Sequence, residues 1–197
     1  MCSLSYRCPF GVLEITASVQ GLLKVSCKPV EVTSTCSGIG TAELAVLGTA
    51  ITNVAAVEDE SCTCSCGSAY TSCKAKDVLL AASSWLRAYF CGDLAQMGPV
   101  PPLDLTAMPE FTAQVLRELT ACTEPGVTIT YGALGRRLGR EKAGRAVGNA
   151  MRTNPIPLFV PCHRVTLGNG SLGNYSMGHG TLTKEWLLEH EKKMSKT

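Results

Sequence analysis

Asn154-Pro155-Ile156-Pro157-Leu158-Phe159-Val160-Pro161-Cys162-His163-Arg164-Val165 sets one cysteine, framed by prolines, beside a histidine. Pro155, Pro157 and Pro161 each lack an N–H and restrict the residue before them, so no helix can run through the stretch. Leu158 to Val160 are therefore expected to form a short extended run packed into a core, with Cys162 emerging at its end. A free thiol is mostly protonated at neutral pH, and nucleophilic use needs a nearby cation, imidazole or helix N-terminus. His163 is the candidate. Neighbours in extended chain point to opposite faces, which favours a bridging water over direct contact between Cys162 and His163. A buried structural cysteine is the alternative.

The rest of the composition limits what surrounds this cysteine. With 197 residues, 45% of them hydrophobic, the chain can bury one sizeable core or two smaller ones, and a two-part protein is expected. No stretch of about 18 apolar residues occurs, and Met1-Cys2-Ser3-Leu4-Ser5-Tyr6-Arg7 does not read as a signal peptide. A soluble intracellular protein is expected, and its eleven cysteines are read as mostly free thiols. The net charge of +2 is unevenly spread: residues 1–103 carry 6 Lys or Arg against 8 Asp or Glu, residues 104–197 carry 12 against 8. Arg136, Arg137, Arg140, Lys142, Arg145, Arg152 and Arg164 cluster around a single acid, Glu141. Such a cluster is either a solvated face or a polyanion site.

The N-terminal part reads as two strands, Gly11 to Thr16 and Gly21 to Cys27, turned at Gln20-Gly21. From Lys28 to about Ala75 no period persists, so a long loop is expected, with at most one strand near Ala42 to Val54. Cys62, Cys64, Cys66 and Cys73 lie in it; their spacing is unlike that of structural zinc ligands, and no metal is expected there. Asp77 is taken as the cap of a helix whose apolar face is Val78, Ala82, Trp85, Leu86 and Tyr89, ended by Gly92. Gly98-Pro99-Val100-Pro101-Pro102 is a stiff connector, which divides the chain into residues 1–98 and 104–197.

The second part begins with a helix from about Pro109 to Cys122, broken at Glu124-Pro125-Gly126. Two helices joined by a short turn follow, the first capped by Thr130, the second running from about Lys142 to Arg152. Ala143, Val147, Ala150 and Met151 form the buried stripe of the second; Arg145, Asn149 and Arg152 share a polar face, with the small residues Gly144, Ala146 and Gly148 between them. This arrangement suits close approach to nucleic acid but also occurs as plain packing. A glycine-rich stretch, residues 167–176, brings Tyr175 and Ser176 within reach of a flat ligand or forms an ordinary surface loop. Thr183 is taken as the cap of a last helix, whose face Lys184, Leu187, Leu188, Glu191 turns one carboxylate toward the core. There it needs a partner such as His163, unless the last turn is frayed.

Pro161-Cys162-His163-Arg164-Val165, with Arg145-Ala146-Val147-Gly148, Asn154-Pro155-Ile156-Pro157, Gly173-Asn174-Tyr175-Ser176 and Lys184-Glu185-Trp186-Leu187-Leu188, resembles the O6-alkylguanine-DNA alkyltransferase family. The likeness covers roughly residues 105–192; earlier it is limited to Cys8-Pro9-Phe10-Gly11 and the helix Trp85-Leu86-Arg87-Ala88-Tyr89-Phe90. It implies an α/β (α+β) fold, with a small ribonuclease-H-like sheet domain and helix first and a mostly helical winged-helix or helix-turn-helix domain second. It implies suicide repair: one alkyl group passes from O6-alkylguanine, and from O4-alkylthymine, in duplex DNA to Cys162 after the base is flipped out. Cys162 is then the nucleophile, His163 activates it through water, Glu191 orients His163, and Asn154 braces the turn. Tyr131 presses on the 3′ phosphate and supplies a proton, while Arg145 enters the base stack as a finger. The DNA-facing residues are Tyr131, Arg145, Ala146, Gly148, Asn149 and Arg152, and the pocket is lined by Met151, Pro157, Val165, Tyr175 and Ser176. The resemblance implies a nuclear protein that acts as a monomer, with double-stranded DNA its partner and no membrane. The chemistry calls for no cofactor.

Two departures stand out. Positions that hold a structural zinc in vertebrate members are occupied here by Ser18, Leu23 and Cys91, so that zinc is expected to be absent. Met177-Gly178-His179-Gly180 lengthens a short glycine segment at the pocket lip and bears on acceptance of bulky adducts such as benzyl. A cysteine hydrolase that turns over, and a lesion-binding protein without catalysis, are the competing classes.

Overall fold

The computed structural model describes residues 1–29 and 73–195, and elements are numbered within those residues. The expected strand near Ala42 to Val54, and Cys62, Cys64 and Cys66, lie outside them. Three strands, not two, open the chain: β1 (Cys2–Cys8), β2 (Gly11–Ala17) and β3 (Leu22–Pro29), in antiparallel order β1-β2-β3. The extra strand is β1. Its alternation of Cys2, Tyr6 and Cys8 inward is carried by residue types with weak strand signatures, which pairing with β2 (Tyr6 opposite Leu13, Leu4 opposite Ile15) overrides.

Helix α1 spans Lys74–Cys91 and packs on β1 and β2 through Ala75, Leu79, Ala82, Trp85, Leu86 and Tyr89. It begins three residues before the expected cap. Cys73 occupies the N-cap, and Asp77 sits in the first turn, where its charge meets the positive end of the helix dipole. Gly92 ends the helix as expected, left-handed at φ 75° with its N–H returned to Tyr89 O and Ala88 O.

The proline-rich connector is stitched to the sheet. Leu22 N donates to Pro102 O at 2.7 Å, Asp104 N donates to Leu22 O at 2.8 Å, and Ser18 Oγ donates to Asp104 Oδ2 at 2.6 Å. Gly21, at φ 155°, lies where a Cβ would stand 2.4 Å from Pro102 O, so only glycine admits the connector at this distance.

Helix α2 (Glu110–Cys122) precedes β4 (Ile129–Thr130), which leads directly into α3 (Tyr131–Arg137). Thr130 Oγ1 accepts from Ala133 N at 3.2 Å, the expected cap. A turn through Gly139, at φ 68°, leads to α4 (Gly144–Arg152), which starts two residues later than the sequence pattern gave. A 3-10 turn, Cys162–Arg164, leads into β5 (Val165–Thr166), parallel to β4, and α5 (Thr181–Met194) closes the structure. Helix α5 starts at Thr181 rather than behind Thr183. Thr183 instead accepts the His179 N–H at 2.8 Å, folding the lengthened 177–180 segment back against the helix.

One apolar cluster runs from Cys2 to Met194 and joins both halves of the chain. Its seam is aromatic: Trp85 stacks on Tyr89 with centroids 5.2 Å apart and meets Phe159 at 4.9 Å. Fully burying a side chain such as Phe159 contributes about 1.5–3 kcal/mol, so the N-terminal helix is a structural floor for the segment that carries Cys162.

Candidate active site

Leu158 to Val160 are buried as expected but are not extended. Leu158 takes φ 75°, Val160 N donates to Ile156 O at 2.9 Å, and the segment is a tight turn. A branched residue in left-handed conformation costs of order 1–3 kcal/mol, and the burial of Leu158, Phe159 and Val160 offsets that. The chain then enters the 3-10 turn, so Cys162 and His163 are not on opposite faces of a strand.

Asn154 holds this turn from inside. Its Nδ2 donates to Val160 O at 3.0 Å and to Cys162 Sγ at 3.2 Å, and its Oδ1 accepts from Ile156 N at 3.0 Å. Cys162 is buried, and burial pushes its thiol above the ordinary value; the Asn154 hydrogen bond, the Lys184 ammonium and the backbone N–H groups of Cys162 and His163 pull the other way and lose. The resting sulfur is therefore a thiol, and its proton must be taken when it reacts.

His163 is fully buried. Its Nε2 meets Glu191 Oε1 at 2.7 Å, while Nδ1 has no hydrogen-bond partner among the described residues. Burial lowers its pKa below 6.5 despite the opposing pull of Glu191, so it is neutral at pH 7 and able to accept a proton. Glu191 is as buried as His163 and takes four donors: His163; Arg164, through Nε at 3.0 Å to Oε2 and Nη2 at 3.0 Å to Oε1; Tyr89 Oη at 2.8 Å; and Gly126 N at 3.0 Å. Burial alone would raise its pKa; His163 and Arg164 outweigh that and hold it far below the usual carboxylate range. The last turn is not frayed: Glu191 faces the core with His163 as its partner, as its helical face implied, and is saturated with donors.

Arg164, counted in sequence with the basic cluster, does not share its surface: it is buried, with Nη1 donating to Thr123 O at 2.8 Å. Arg136, Lys142, Arg145 and Arg152 are exposed; Arg137 pairs with Glu118 at 2.6 Å, and Arg140 lies over the Phe111 ring. Lys184, buried on the same helix as Glu191, donates to Val165 O at 2.6 Å and to Leu172 O, tying the middle of the glycine-rich segment to the strand that precedes it. Arg164, Tyr89 and Lys184 are the site residues that sequence reasoning missed. A basic residue next to a buried histidine, and a lysine on an apolar helical face, were the signals available.

Cys162 opens on a cleft of about 730 Å³ lined by Tyr131, Gly144, Arg145, Gly148, Met151, Arg152, Cys162, Leu167, Gly173, Asn174, Tyr175 and Ser176. The parallel pairing of β4 with β5 brings this about: β4 delivers Tyr131 at the start of α3, and β5 leaves the 3-10 turn beside it. Gly148 faces the Tyr131 ring, which lies 4.0 Å from where a Cβ would stand, an ordinary contact distance. Of the sequence-derived pocket residues, Met151, Tyr175 and Ser176 line the cleft. Val165 is fully buried and Pro157 pairs with Val160; neither is in the wall. Ala146 and Asn149 are exposed on α4 outside the lining, and Asn149 Oδ1 accepts from Arg152. Residues 177–180 are also outside it: Met177 is buried, and a Cβ on Gly178 would strike Thr183 Oγ1 at 2.6 Å. Tyr175 Oη is buried in this wall without a partner among the described residues.

No three His, Cys, Asp or Glu side chains among the described residues converge to hold a metal. No helix among them is long and apolar enough to cross a membrane.

Residues 110–193 match the family described as 6-O-methylguanine DNA methyltransferase, DNA binding domain. The chain is 47% identical over 116 residues to the methylated-DNA–protein-cysteine methyltransferase of Cricetulus griseus, across 57% of this chain and 55% of that one. It is 45% identical over 116 residues to the human protein of that name, with the same shares. The chain thus spans little more than half the length of these curated relatives. Among solved structures, Mycobacterium tuberculosis OGT in complex with DNA aligns at TM-score 0.64 and 27% identity, over 96% of this chain and 92% of that one. The mixed α/β architecture is that of these OGT structures.

Proposed function

We propose that this chain, whose residues 110–193 match the family described as 6-O-methylguanine DNA methyltransferase, DNA binding domain, is a member of that family, and that Cys162 removes alkyl groups from O6-alkylguanine in duplex DNA and keeps them. The observation that supports this best is the geometry of Cys162: a sulfur hydrogen-bonded by Asn154, at the floor of a cleft rimmed by Arg145 and Arg152 and next to a His163 held by Glu191.

In this mechanism a water between His163 Nδ1 and Cys162 Sγ relays the thiol proton to the imidazole. The sulfur then forms a bond to the alkyl carbon as the carbon–O6 bond breaks, and the electron pair leaves with the base. Tyr131 hydroxyl supplies the proton that the departing guanine takes up, and the imidazolium returns one to Tyr131. Burial raises the Tyr131 pKa, so that proton moves only as charge builds on the base. The product thioether is not hydrolysed under mild conditions, so each molecule reacts once.

An alkyl carbon inside a stacked duplex cannot line up with a buried sulfur. The base must be extruded, at a cost of a few kcal/mol that a damaged pair lowers. Helices α3 and α4 act as a helix-turn-helix, with Arg145 filling the stack and Ala146, Gly148, Asn149 and Arg152 along the DNA. Residues 104–197 carry recognition and chemistry, and residues 1–98 brace them. Met151, Tyr175 and Ser176 hold the flipped base, with Val165 and Pro157 supporting the wall from behind. The 177–180 segment is not part of the cleft lining, which supports acceptance of larger alkyl groups; O4-alkylthymine is proposed as a second substrate. The protein acts as a monomer in the compartment that holds the DNA, the nucleus in a eukaryotic cell.

Incubation with duplex DNA carrying O6-methylguanine, followed by mass spectrometry, tests this. One methyl on the peptide containing Cys162, with no activity left afterwards, is the expected result. Sustained turnover would establish a hydrolase instead, and full activity in Cys162→Ala would remove the nucleophile from the scheme.

A further inference from the structure

The carboxylate that holds His163 is also held by a residue from the far side of the chain. Tyr89 lies on α1, far from the cleft in sequence, yet its hydroxyl donates at 2.8 Å to Glu191 Oε1, the same oxygen that meets His163 Nε2 at 2.7 Å. Tyr89 is completely buried. Its ring is fixed by the stack on Trp85, by Phe90 edge-on at 5.2 Å and by His190 at 5.5 Å, and His190 Nε2 donates to the Tyr89 carbonyl at 2.7 Å. Packing alone would be satisfied by phenylalanine. A buried hydroxyl is kept where it has a polar task.

We infer that Tyr89 is a positioning residue for the transfer reaction: by sharing Oε1 with His163, its hydroxyl limits how strongly Glu191 holds the imidazole and keeps that ring free to accept the Cys162 proton. The inference rests on the proposed reaction of Cys162. Four donors surround one carboxylate, and each spreads the negative charge that an imidazolium would otherwise feel. The groups that face His163 are Glu191 and Lys184 from α5, Arg164 and Cys162 from the 3-10 turn, and Tyr175, whose ring stands edge-on at 6.4 Å. Arg164 and Lys184 oppose imidazolium formation and Glu191 favours it. Tyr89 weakens the one favourable partner. It does so without adding a charge, and from an element that contributes no residue to the cleft lining.

Tyr89→Phe removes this donor and leaves the ring. Arg164 and Gly126 still anchor the carboxylate, so the fold is retained. The His163 imidazole, followed by NMR against pH in the full chain without DNA, is expected to titrate higher in Tyr89→Phe than in the parent. The methyl-transfer rate at pH 6 relative to pH 8 should fall roughly two- to tenfold, the span that a typical net hydrogen bond produces. In a Glu191→Gln background the Tyr89→Phe effect on the profile should vanish, because the route through the carboxylate is gone. An unmoved His163 titration with only a lower Tm would overturn the inference and leave Tyr89 a packing residue, as would the same profile change in the Glu191→Gln background. Because the titration needs no substrate, loss of methyl transfer in the parent protein would count against the reaction and not against Tyr89.

Discussion

The amide of Asn154 stands between the Val160 carbonyl and the Cys162 sulfur, 3.0 Å from one and 3.2 Å from the other. One side chain thus fixes the turn and touches the reactive atom. Asn154→Ala should lower stability by about 1–3 kcal/mol, the cost of leaving buried backbone groups unpaired, and should slow transfer further by withdrawing the donor that stabilises a developing thiolate. Asn154→Ser, too short to reach both groups, should behave similarly. Urea unfolding and single-turnover methyl transfer measured side by side check this; normal transfer in a destabilised Asn154→Ala would separate the two roles and refute the second.

Arg145 is exposed on α4 at the rim of the cleft. If it fills the gap left by a flipped base, Arg145→Ala should slow transfer from duplex DNA by about tenfold or more, since each 1.4 kcal/mol of lost stabilisation is a factor of ten. Reaction with free O6-methylguanine should change little. Equal losses on both substrates would contradict the finger role. Binding to duplex should weaken with salt throughout, as phosphate contacts require.

Acid should unfold the protein in two stages. His163 and His190 have folded pKa values pushed below 6.5, chiefly by burial, so the unfolded chain binds more protons than the folded one as pH falls through 6.5, and stability drops. Glu191 is depressed below 4.5 by His163 and Arg164, against its burial, so its contribution is complete above 4.5 and drains away at lower pH. Denaturant midpoints should be level above about pH 7.5, decline near 6.5 and decline again below 4.5. Glu191→Gln should shrink the lower stage and enlarge the upper, because the His163 imidazole loses the partner that raises its pKa.

Thiol reactivity should be ordered by environment. Cys91 is exposed, and the Cys73 thiol is pulled below its ordinary value by the Lys76 and Ala75 N–H groups at the start of α1. Burial raises the thiols of Cys8 and Cys162. Among the described cysteines, iodoacetamide at neutral pH should label Cys73 and Cys91 first, and Cys8 and Cys162 last. Peptide mapping over time reads this directly. Early labelling of Cys162 would mean that its sulfur is already a thiolate at rest.

Much of this was legible in the residues. Periodicity located the four longer helices to within a few positions, because each buries a clear stripe, and the face Lys184, Leu187, Leu188, Glu191 correctly turned a carboxylate inward. The failures share a cause. Strand β1 is held by its neighbour rather than by its own residue types. Leu158 adopts a conformation that branched residues avoid, because burial outweighs local preference. Arg164 looked like one more surface cation because nothing local reveals that Glu191 lies 27 positions away. Cys73 took the cap from Asp77, since docking of α1 on the sheet draws its first turn earlier.

The carboxylate of Glu191 gathers its partners from sequence separations of 102, 65, 28 and 27 residues. None of that shell can form locally, and loop closure must precede every contact in it. The histidine is consequently oriented only when α1, the turn before β4 and α5 have all docked. A newly made chain whose last helix is still loose carries the sulfur without the machinery to use it. In the proposed reaction, completion of folding and competence to react are one event, and the single transfer that the scheme allows each molecule is reserved for a finished protein.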